Sequence, residues 1–191
     1  LKVYALLPAA GGGIWAGTDG GGLIHIGRSG KAKAYLHDDS DPGSIAGNVV
    51  WALYADPDGT LWVGTEGGGL DRLDAATGKL THFRGGLDRT TLRGSSVRAI
   101  YRDSQGTLWV GTWDGGLSCL VAGAKDFRGY GASSSSAHSL GDASVNCISQ
   151  DADGYLWIGT GGSGLARLDL GTGIFTHFTE NDGLLGATVY G

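Results

Sequence analysis

Several features that are common in other proteins are missing from this sequence of 191 residues. It has no methionine, three prolines, two cysteines and no run of lysine and arginine. With a net charge of −5, the lack of a basic run argues against nucleic-acid binding. Cys119 and Cys147 fall at different positions of the repeat described below, which argues against a disulfide. No window keeps a 3.6-residue apolar period, so no amphipathic helix is predicted.

Four tryptophans set the period of an internal repeat. Each one follows Ile or Leu and is followed by an apolar residue and then by Gly-Thr, and the spacings are 47, 47 and 48 residues. These tryptophans are Trp15, Trp62, Trp109 and Trp157. Self-similarity at such a period is typical of solenoids, propellers and repeat arrays.

Each repeat contains four short apolar runs separated by turn residues. Acidic turns such as Asp56-Pro57-Asp58-Gly59 follow the first run in three repeats, and glycine-rich turns follow the second run in all four. Short runs between such turns predict strands joined by hairpins. We therefore predict an all-β protein, a β-propeller with four four-stranded antiparallel blades. The blades cover residues 1–47, 48–94, 95–142 and 143–190 of one propeller segment, 1–191.

The repeat phase at the two ends of the chain predicts a segment of a larger propeller. Val3-Tyr4 and Val189-Tyr190 both match Val50-Trp51. An open stack of blades would leave bare apolar faces, so we expect either further blades or self-association. Because the chain is expected to be a segment, its lack of a signal or membrane sequence says little about the whole protein. We expect no direct membrane contact in this segment.

The repeated tryptophans are predicted to pack between neighbouring blades. Residues that recur at one place in every blade are more often core than ligand platforms. Small residues would let the sheets approach, and two positions qualify: the glycine of each Gly-Thr pair, and a second set formed by Ala5, Ala52, Ala99 and Cys147.

Two positions of the repeat vary in chemistry and are predicted to bind a ligand. In a meander, the second-to-third turns and the blade-to-blade segments lie at the same edge, and the blade-to-blade segments are long and dissimilar. Binding residues favour such loops on a rigid scaffold. The variable positions lie eleven residues before and four residues after the repeated tryptophan. Their candidate ligand-binding residues are Tyr4, Trp51, Arg98, Asn146, Asp19, Glu66 and Trp113. An aromatic and polar surface of this kind suits an oligosaccharide or a peptide.

No catalytic, metal or cofactor constellation is recognisable in the sequence. The Asp-x-Asp-Gly turns suggest calcium, but the further ligands of a calcium loop are missing, so hairpin turns are the preferred interpretation. His82 and His177 share one position on the fourth strand, where a solvent-facing structural role is expected. We predict no enzyme activity, no metal and no cofactor.

The segment Asp56–Asp74 closely resembles the two-component regulator propeller repeat, and three further copies cover nearly the whole chain. The first repeat departs from the pattern, since Pro8-Ala9-Ala10-Gly11 replaces the acidic turn. The resemblance implies a periplasmic or extracellular sensor domain of membrane-anchored histidine kinases or diguanylate cyclases. Several of these kinases respond to polysaccharide fragments, and signalling passes through a dimer. The family has no general catalytic residues.

We therefore expect a ligand-sensing propeller segment of a bacterial signal-transduction sensor. Two alternatives stay open. The variable edge could dock a protein or complete a dimer without any small ligand, or the propeller could be a hydrolase or a lyase.

Overall fold

The computed structural model describes residues 1–74, 76–86, 90–132 and 138–190. These residues form β-strands and one short 3-10 helix, Glu180–Asp182, and the described part of the chain contains no α-helix. No helix among the described residues is long and apolar enough to span a bilayer. Parts of two blade-to-blade segments, at 87–89 and 133–137, lie outside the described residues.

The strands fall into four sheets of four, two in each half of the chain. The strands of the first half are β1 (Val3–Pro8), β2 (Ile14–Thr18), β3 (Leu23–Ile26), β4 (Ala32–Tyr35), β5 (Val50–Ala55), β6 (Thr60–Thr65), β7 (Gly69–Asp74) and β8 (Leu80–Phe83). Those of the second half are β9 (Val97–Arg102), β10 (Leu108–Thr112), β11 (Gly116–Leu120), β12 (Arg128–Tyr130), β13 (Val145–Gln150), β14 (Leu156–Thr160), β15 (Leu165–Leu168) and β16 (Phe175–Phe178).

Every sheet is an antiparallel meander in which consecutive strands are neighbours. The orders are β1-β2-β3-β4, β5-β6-β7-β8, β9-β10-β11-β12 and β13-β14-β15-β16. The prediction of an all-β propeller with four-stranded antiparallel blades is confirmed. The chain divides into two compact units, Leu1–Arg84 with the first two blades and Gly85–Gly191 with the last two. That all four repeats belong to one propeller segment stays a prediction.

The acidic turns between the first and second strands are tight hairpins, as predicted. In the third blade Asp103 N donates to Thr107 O at 3.0 Å and Gly106 N donates to Asp103 O at 3.0 Å. Gly106 has φ +83°, a left-handed conformation that glycine adopts without strain. Besides closing the turn, Asp103 binds the repeated tryptophan of its blade. Its Oδ2 accepts a hydrogen bond from the indole Nε1 of Trp109 at 2.8 Å.

Two of the four repeated tryptophans, Trp15 and Trp109, lie in the hydrophobic cores of the two units. In the first unit Trp15 shares one cluster with Leu61 and Leu73 of the second blade. In the second unit Trp109, only 3 % exposed, shares a cluster with Leu156 and Phe175 of the fourth blade. The prediction that these indoles pack between neighbouring blades is therefore confirmed for Trp15 and Trp109. Trp62 is buried as well, whereas Trp157 is only partly buried, and for these two the packing between blades stays a prediction.

Small residues let the blades approach, as the sequence predicts. A Cβ added to Gly17 would lie 2.7 Å from Cγ1 of Val50 in the next blade. A Cβ added to Gly111 would collide with Val145 in the next blade, while Ala99 lies beside the same space. Both glycines belong to the repeated Gly-Thr pair, so that position is a packing requirement between sheets.

Candidate binding site at the bulged edge of the blades

Each blade has a β-bulge near the start of its first strand. The pairing with the second strand shifts by one residue between Val50 and Ala52, and equivalent shifts occur in the other blades. A bulge leaves one residue outside the ladder and re-aims its side chain. The extra residues are Tyr4, Trp51, Arg98 and Asn146. The variable position eleven residues before the repeated tryptophan is thus the bulge position in all four blades.

A repeated backbone hydrogen bond brings the second variable position beside the bulge. The residue four places after the repeated tryptophan donates its N–H to a carbonyl just ahead of the bulge, over 2.8–3.0 Å. The four bonds are Asp19 N to Lys2 O, Glu66 N to Val49 O, Trp113 N to Ser96 O and Gly161 N to Ser144 O. The two sets of predicted residues therefore lie at the same edge of each blade. We call this edge, with its bulge residue and the residue four places after the tryptophan, the bulged edge.

In the first unit the bulged edges of two blades meet. The rings of Tyr4 and Trp51 stack with centroids 3.9 Å apart and an interplanar angle of 17°. The indole Nε1 of Trp51 donates to Oε2 of Glu66 at 3.2 Å. Asp19 lies at the same edge and is exposed. Three of the four predicted residues of this unit thus form one contiguous aromatic and acidic patch.

In the second unit Arg98 and Trp113 form a cation–π pair. The guanidinium carbon of Arg98 lies 4.0 Å from the centroid of the Trp113 ring. Trp113 is 46 % exposed, in contrast to the repeated tryptophans of the core. Its ring also reaches the fourth blade, since a Cβ at Gly161 would lie 3.6 Å from Trp113 Cζ3. An exposed indole held by a neighbouring guanidinium offers a fixed apolar surface edged with charge.

Asn146 lies on the bulge of the fourth blade, but its side-chain amide binds backbone carbonyls of two other segments. Nδ2 donates to the carbonyl of Val189 at 3.1 Å and to that of Thr160 at 3.4 Å. Its buried Oδ1 has no hydrogen-bond partner within the described part of the chain. Val189 itself packs on Gly159 as Val50 packs on Gly17. Asn146 is thus tied to packing more closely than the other predicted residues are.

The blade-to-blade segments and the second-to-third turns share the bulged edge, as the meander predicts. Glycine N–H groups of the turns donate to carbonyls of the segments: Gly22 to Asn48 at 2.8 Å, Gly116 to Ala143 at 2.7 Å and Gly164 to Ala187 at 2.7 Å. The variable loops are therefore fastened to the scaffold next to the predicted binding residues.

Asp114 is a loop anchor that sequence reasoning did not assign. Its carboxylate accepts hydrogen bonds from Ser95 N, Ser95 Oγ and Ser96 N, at 2.9–3.1 Å. Burial raises the pKa of Asp114, but these donors outweigh the effect and hold the pKa below its ordinary value. A cavity of about 410 Å³ lies beside this anchor, lined by Arg93 and a group of glycines. The sequence signal was available, because Asp114 replaces a glycine of the other three repeats.

A second loop anchor is a buried carboxylate in the second blade. Asp71 is fully buried, and its Oδ1 lies 2.7 Å from Nδ1 of His82. Its Oδ2 accepts from the N–H of Ala46, and His82 Nε2 lies 2.9 Å from the carbonyl of Pro42. The pair therefore holds the segment between the first two blades. The prediction of a structural role is right for His82, but the prediction that it faces solvent is wrong, since the carboxylate draws the ring inward.

We expect the ion pair between His82 and Asp71 to weaken as the pH rises. Burial lowers the pKa of His82, but the hydrogen bonds to Asp71 and Pro42 outweigh it and raise the pKa above 6.5. Where Asp71 is ionised, the stabilisation is therefore complete below pH 6.5 and is lost as the pH rises through the raised pKa. NMR titration of the His82 ring would measure this, with Asp71→Asn as the comparison. An unchanged pKa in that variant would contradict the ion pair.

The described residues contain no group of three or more His, Cys, Asp and Glu side chains placed to hold a metal. The aspartates of the acidic turns have other partners. Asp151, for example, accepts from Trp157 Nε1 at 2.6 Å and from the N–H groups of Asp153 and Tyr155. These carboxylates serve the hairpin and the core, which supports the interpretation of the motif as a turn.

Comparison with known proteins supports the fold and the repeat family. The family model described as "Two component regulator propeller" matches residues 44–67, 91–114 and 139–162. None of the curated proteins matches the chain significantly.

Three solved structures illustrate the structural similarity. An extracellular domain assigned to a hybrid two-component system of B. thetaiotaomicron aligns with a TM-score of 0.82 and 24% identity, over 93% of this chain and 24% of that one. A second such domain from the same organism aligns with a TM-score of 0.74 and 22% identity, over 97% and 26%. Virginiamycin B lyase from Staphylococcus aureus aligns with a TM-score of 0.67 and 20% identity, over 92% and 55%. The chain thus spans about a quarter of the two extracellular domains.

Proposed function

We propose that this chain, which belongs to the two-component regulator propeller family, is a ligand-sensing segment of a bacterial signal-transduction sensor. The two domains from B. thetaiotaomicron support this proposal, because both are described as extracellular parts of two-component systems. We further propose that the segment lies outside the cytoplasm, which the similarity to these two extracellular domains supports. A ligand would act by changing the populations of two arrangements of membrane-anchored subunits.

The observation that carries the proposal is the coincidence of variable residues with the β-bulges. Identical residues at equivalent positions build the blades, whereas the bulges hold Tyr4, Trp51, Arg98 and Asn146. Within the first unit the rings of Tyr4 and Trp51 stack, and within the second Arg98 lies over the ring of Trp113. Aromatic faces bordered by hydrogen-bonding groups suit the alternating apolar and hydroxyl surfaces of a saccharide. We therefore propose recognition of an oligosaccharide, without catalysis.

A second function is favoured by the exposed face of the first blade. Val3 and Leu6 are 52% and 64% exposed, whereas the equivalent Val50 of the second blade is fully buried. Exposed apolar residues of this kind mark an interaction surface. We propose that a further blade or a second copy of the chain covers this face. In a pure scaffold, that contact would be the whole function.

An oligosaccharide array probed with the 191-residue chain tests the sensing proposal. We expect saturable binding to a subset of glycans, and at least a roughly tenfold loss of affinity in Trp113→Ala, because the exposed indole supplies a stacking face. Trp113→Phe is the matched control, since it keeps an aromatic face, and it should retain most of the affinity. Circular dichroism would show that both variants fold. Undiminished binding by Trp113→Ala would remove this residue from the site. No binding to any glycan, together with self-association in sedimentation, would favour the scaffold.

A further inference from the structure

A groove in the first unit lies at the opposite edge from the bulges. It has a volume of about 580 Å³, which is in the range of small-molecule sites. Leu61 and Leu73 of the second blade line it on one side. Trp15, His25 and Tyr35 of the first blade also line it, and the Pro8–Gly12 turn completes the wall.

The first blade lacks the carboxylate that the other blades place at this point. In the second, third and fourth blades, the indole Nε1 donates to an aspartate at 2.8, 2.8 and 2.6 Å. Each of these aspartates stands six residues before its tryptophan, and Ala9 occupies that place before Trp15. No residue in the described part of the chain accepts a hydrogen bond from the Trp15 indole in its place.

The backbone and the indole of the first blade nevertheless keep the common geometry. Ala9 N donates to Gly13 O and Gly12 N donates to Ala9 O, in the pattern of the aspartate hairpins. Gly12 has φ +86°, close to the +88° of Gly59. The ring of Trp15 lies 5.7 Å from the aromatic ring of its fourth strand, and this distance is 5.8, 5.9 and 5.4 Å in the other blades. The Trp15 indole therefore occupies the same place beside its turn as the indoles that bond to an aspartate, and it lines the groove.

Two further nitrogen-bearing groups line this groove. His25 is paired with Trp15 across the sheet, and their rings stack at 4.3 Å. Its buried Nε2 has no hydrogen-bond partner among the described residues. Arg28 is exposed and lies directly against Gly12, so its guanidinium stands at the same turn. A buried polar nitrogen without a partner is costly, and a bound acceptor would relieve that cost.

We propose that this groove binds a small organic carboxylate, which replaces the aspartate missing from the first blade. The carboxylate accepts from Trp15 Nε1 and His25 Nε2 and pairs with Arg28, while the apolar body of the ligand packs on Leu61 and Leu73. Charge-assisted hydrogen bonds to an anion are the strongest interactions such donors can make. The groove is separate from the bulged edge, so this proposal can be tested independently of the proposal of oligosaccharide sensing.

Titration with benzoate, followed by the indole N–H resonances in a ¹⁵N–¹H NMR spectrum, tests this proposal. Trp15→Phe identifies the Trp15 resonance by its disappearance. We expect that resonance to move downfield and to saturate at about millimolar benzoate. Benzamide has the same shape without the charge and should cause at most a small shift. Arg28→Gln should weaken benzoate binding about tenfold, because it removes the charged partner.

The variant Ala9→Asp supplies the missing carboxylate within the chain and should abolish benzoate binding. Its Trp15 resonance should already lie downfield in the absence of ligand. Ala34→Asp is the matched control, because it adds the same charge to the first blade at an exposed position outside the groove lining, and it should still bind benzoate. The proposal is overturned if the native chain shows no saturable shift of the Trp15 resonance, or if Ala9→Asp binds benzoate as the native chain does.

Discussion

Replacing Trp109 by alanine should lower the free energy of unfolding of the second unit by about 3–5 kcal/mol, the usual cost of deleting a buried aromatic side chain. The ring is 3% exposed and shares its cluster with residues of the next blade, so the deletion opens a cavity between two sheets. Urea denaturation followed by circular dichroism would measure the loss.

The matched control for this variant is Trp113→Ala. It deletes an identical side chain that is 46% exposed and loses mainly a cation–π contact with Arg98, so we expect a loss of about 1 kcal/mol or less. Equal losses in the two variants would show that the repeated tryptophans do not join the blades.

Replacing Asp103 by alanine should cost about 2–3 kcal/mol, because it removes a charged acceptor from a buried indole N–H. Oδ2 of Asp103 accepts from Trp109 Nε1, and Oδ1 accepts from the N–H groups of Gln105 and Thr107. The same denaturation experiment would measure the change. Ser104→Ala is the control at the adjacent, exposed position, where a loss of less than about 0.5 kcal/mol is expected. A similarly small loss in Asp103→Ala would mean that the aspartate serves only the turn.

The blades could be predicted from the sequence because every one of them repeats the same local rules. The hairpin glycines, such as Gly59 and Gly106, recur where φ must be positive, and the apolar runs between them match the strands. The repeated Trp and Gly-Thr positions likewise reveal a core between blades, because only shared packing requires identical residues at every repeat.

The bulges could not be predicted, although the residues on them could. A bulge adds one residue to one strand, and Val50-Trp51-Ala52 reads equally well as regular alternation. Variation in sequence selected all four of Trp51, Glu66, Arg98 and Trp113. Their pairing depends on the backbone bonds that bring Glu66 and Trp113 beside the bulges. The pairing of distant residues such as Asp71 and Ala46 is also a product of the folded loop, which no local pattern encodes.

The aspartate that binds the indole was recognised in the sequence, but only as a turn residue. Aspartate occurs six residues before the tryptophan in three repeats, and the turn alone explains its presence. The second role follows from the hairpin register, which places Tyr101 opposite Trp109 and so brings the turn beside the indole. The first blade has the same hairpin register but carries Ala9 in place of the aspartate, so its indole lacks this acceptor.

The hydrogen bonds between the repeated indoles and the turn aspartates are tested most directly by the rate of hydrogen exchange at the indole N–H groups of the unmodified chain. We expect the indole protons of Trp62, Trp109 and Trp157, each bonded to an aspartate, to exchange far more slowly than that of Trp15, which has no acceptor among the described residues. Equal protection at Trp15, or exchange at Trp109 as fast as at the exposed Trp113, would contradict these hydrogen bonds.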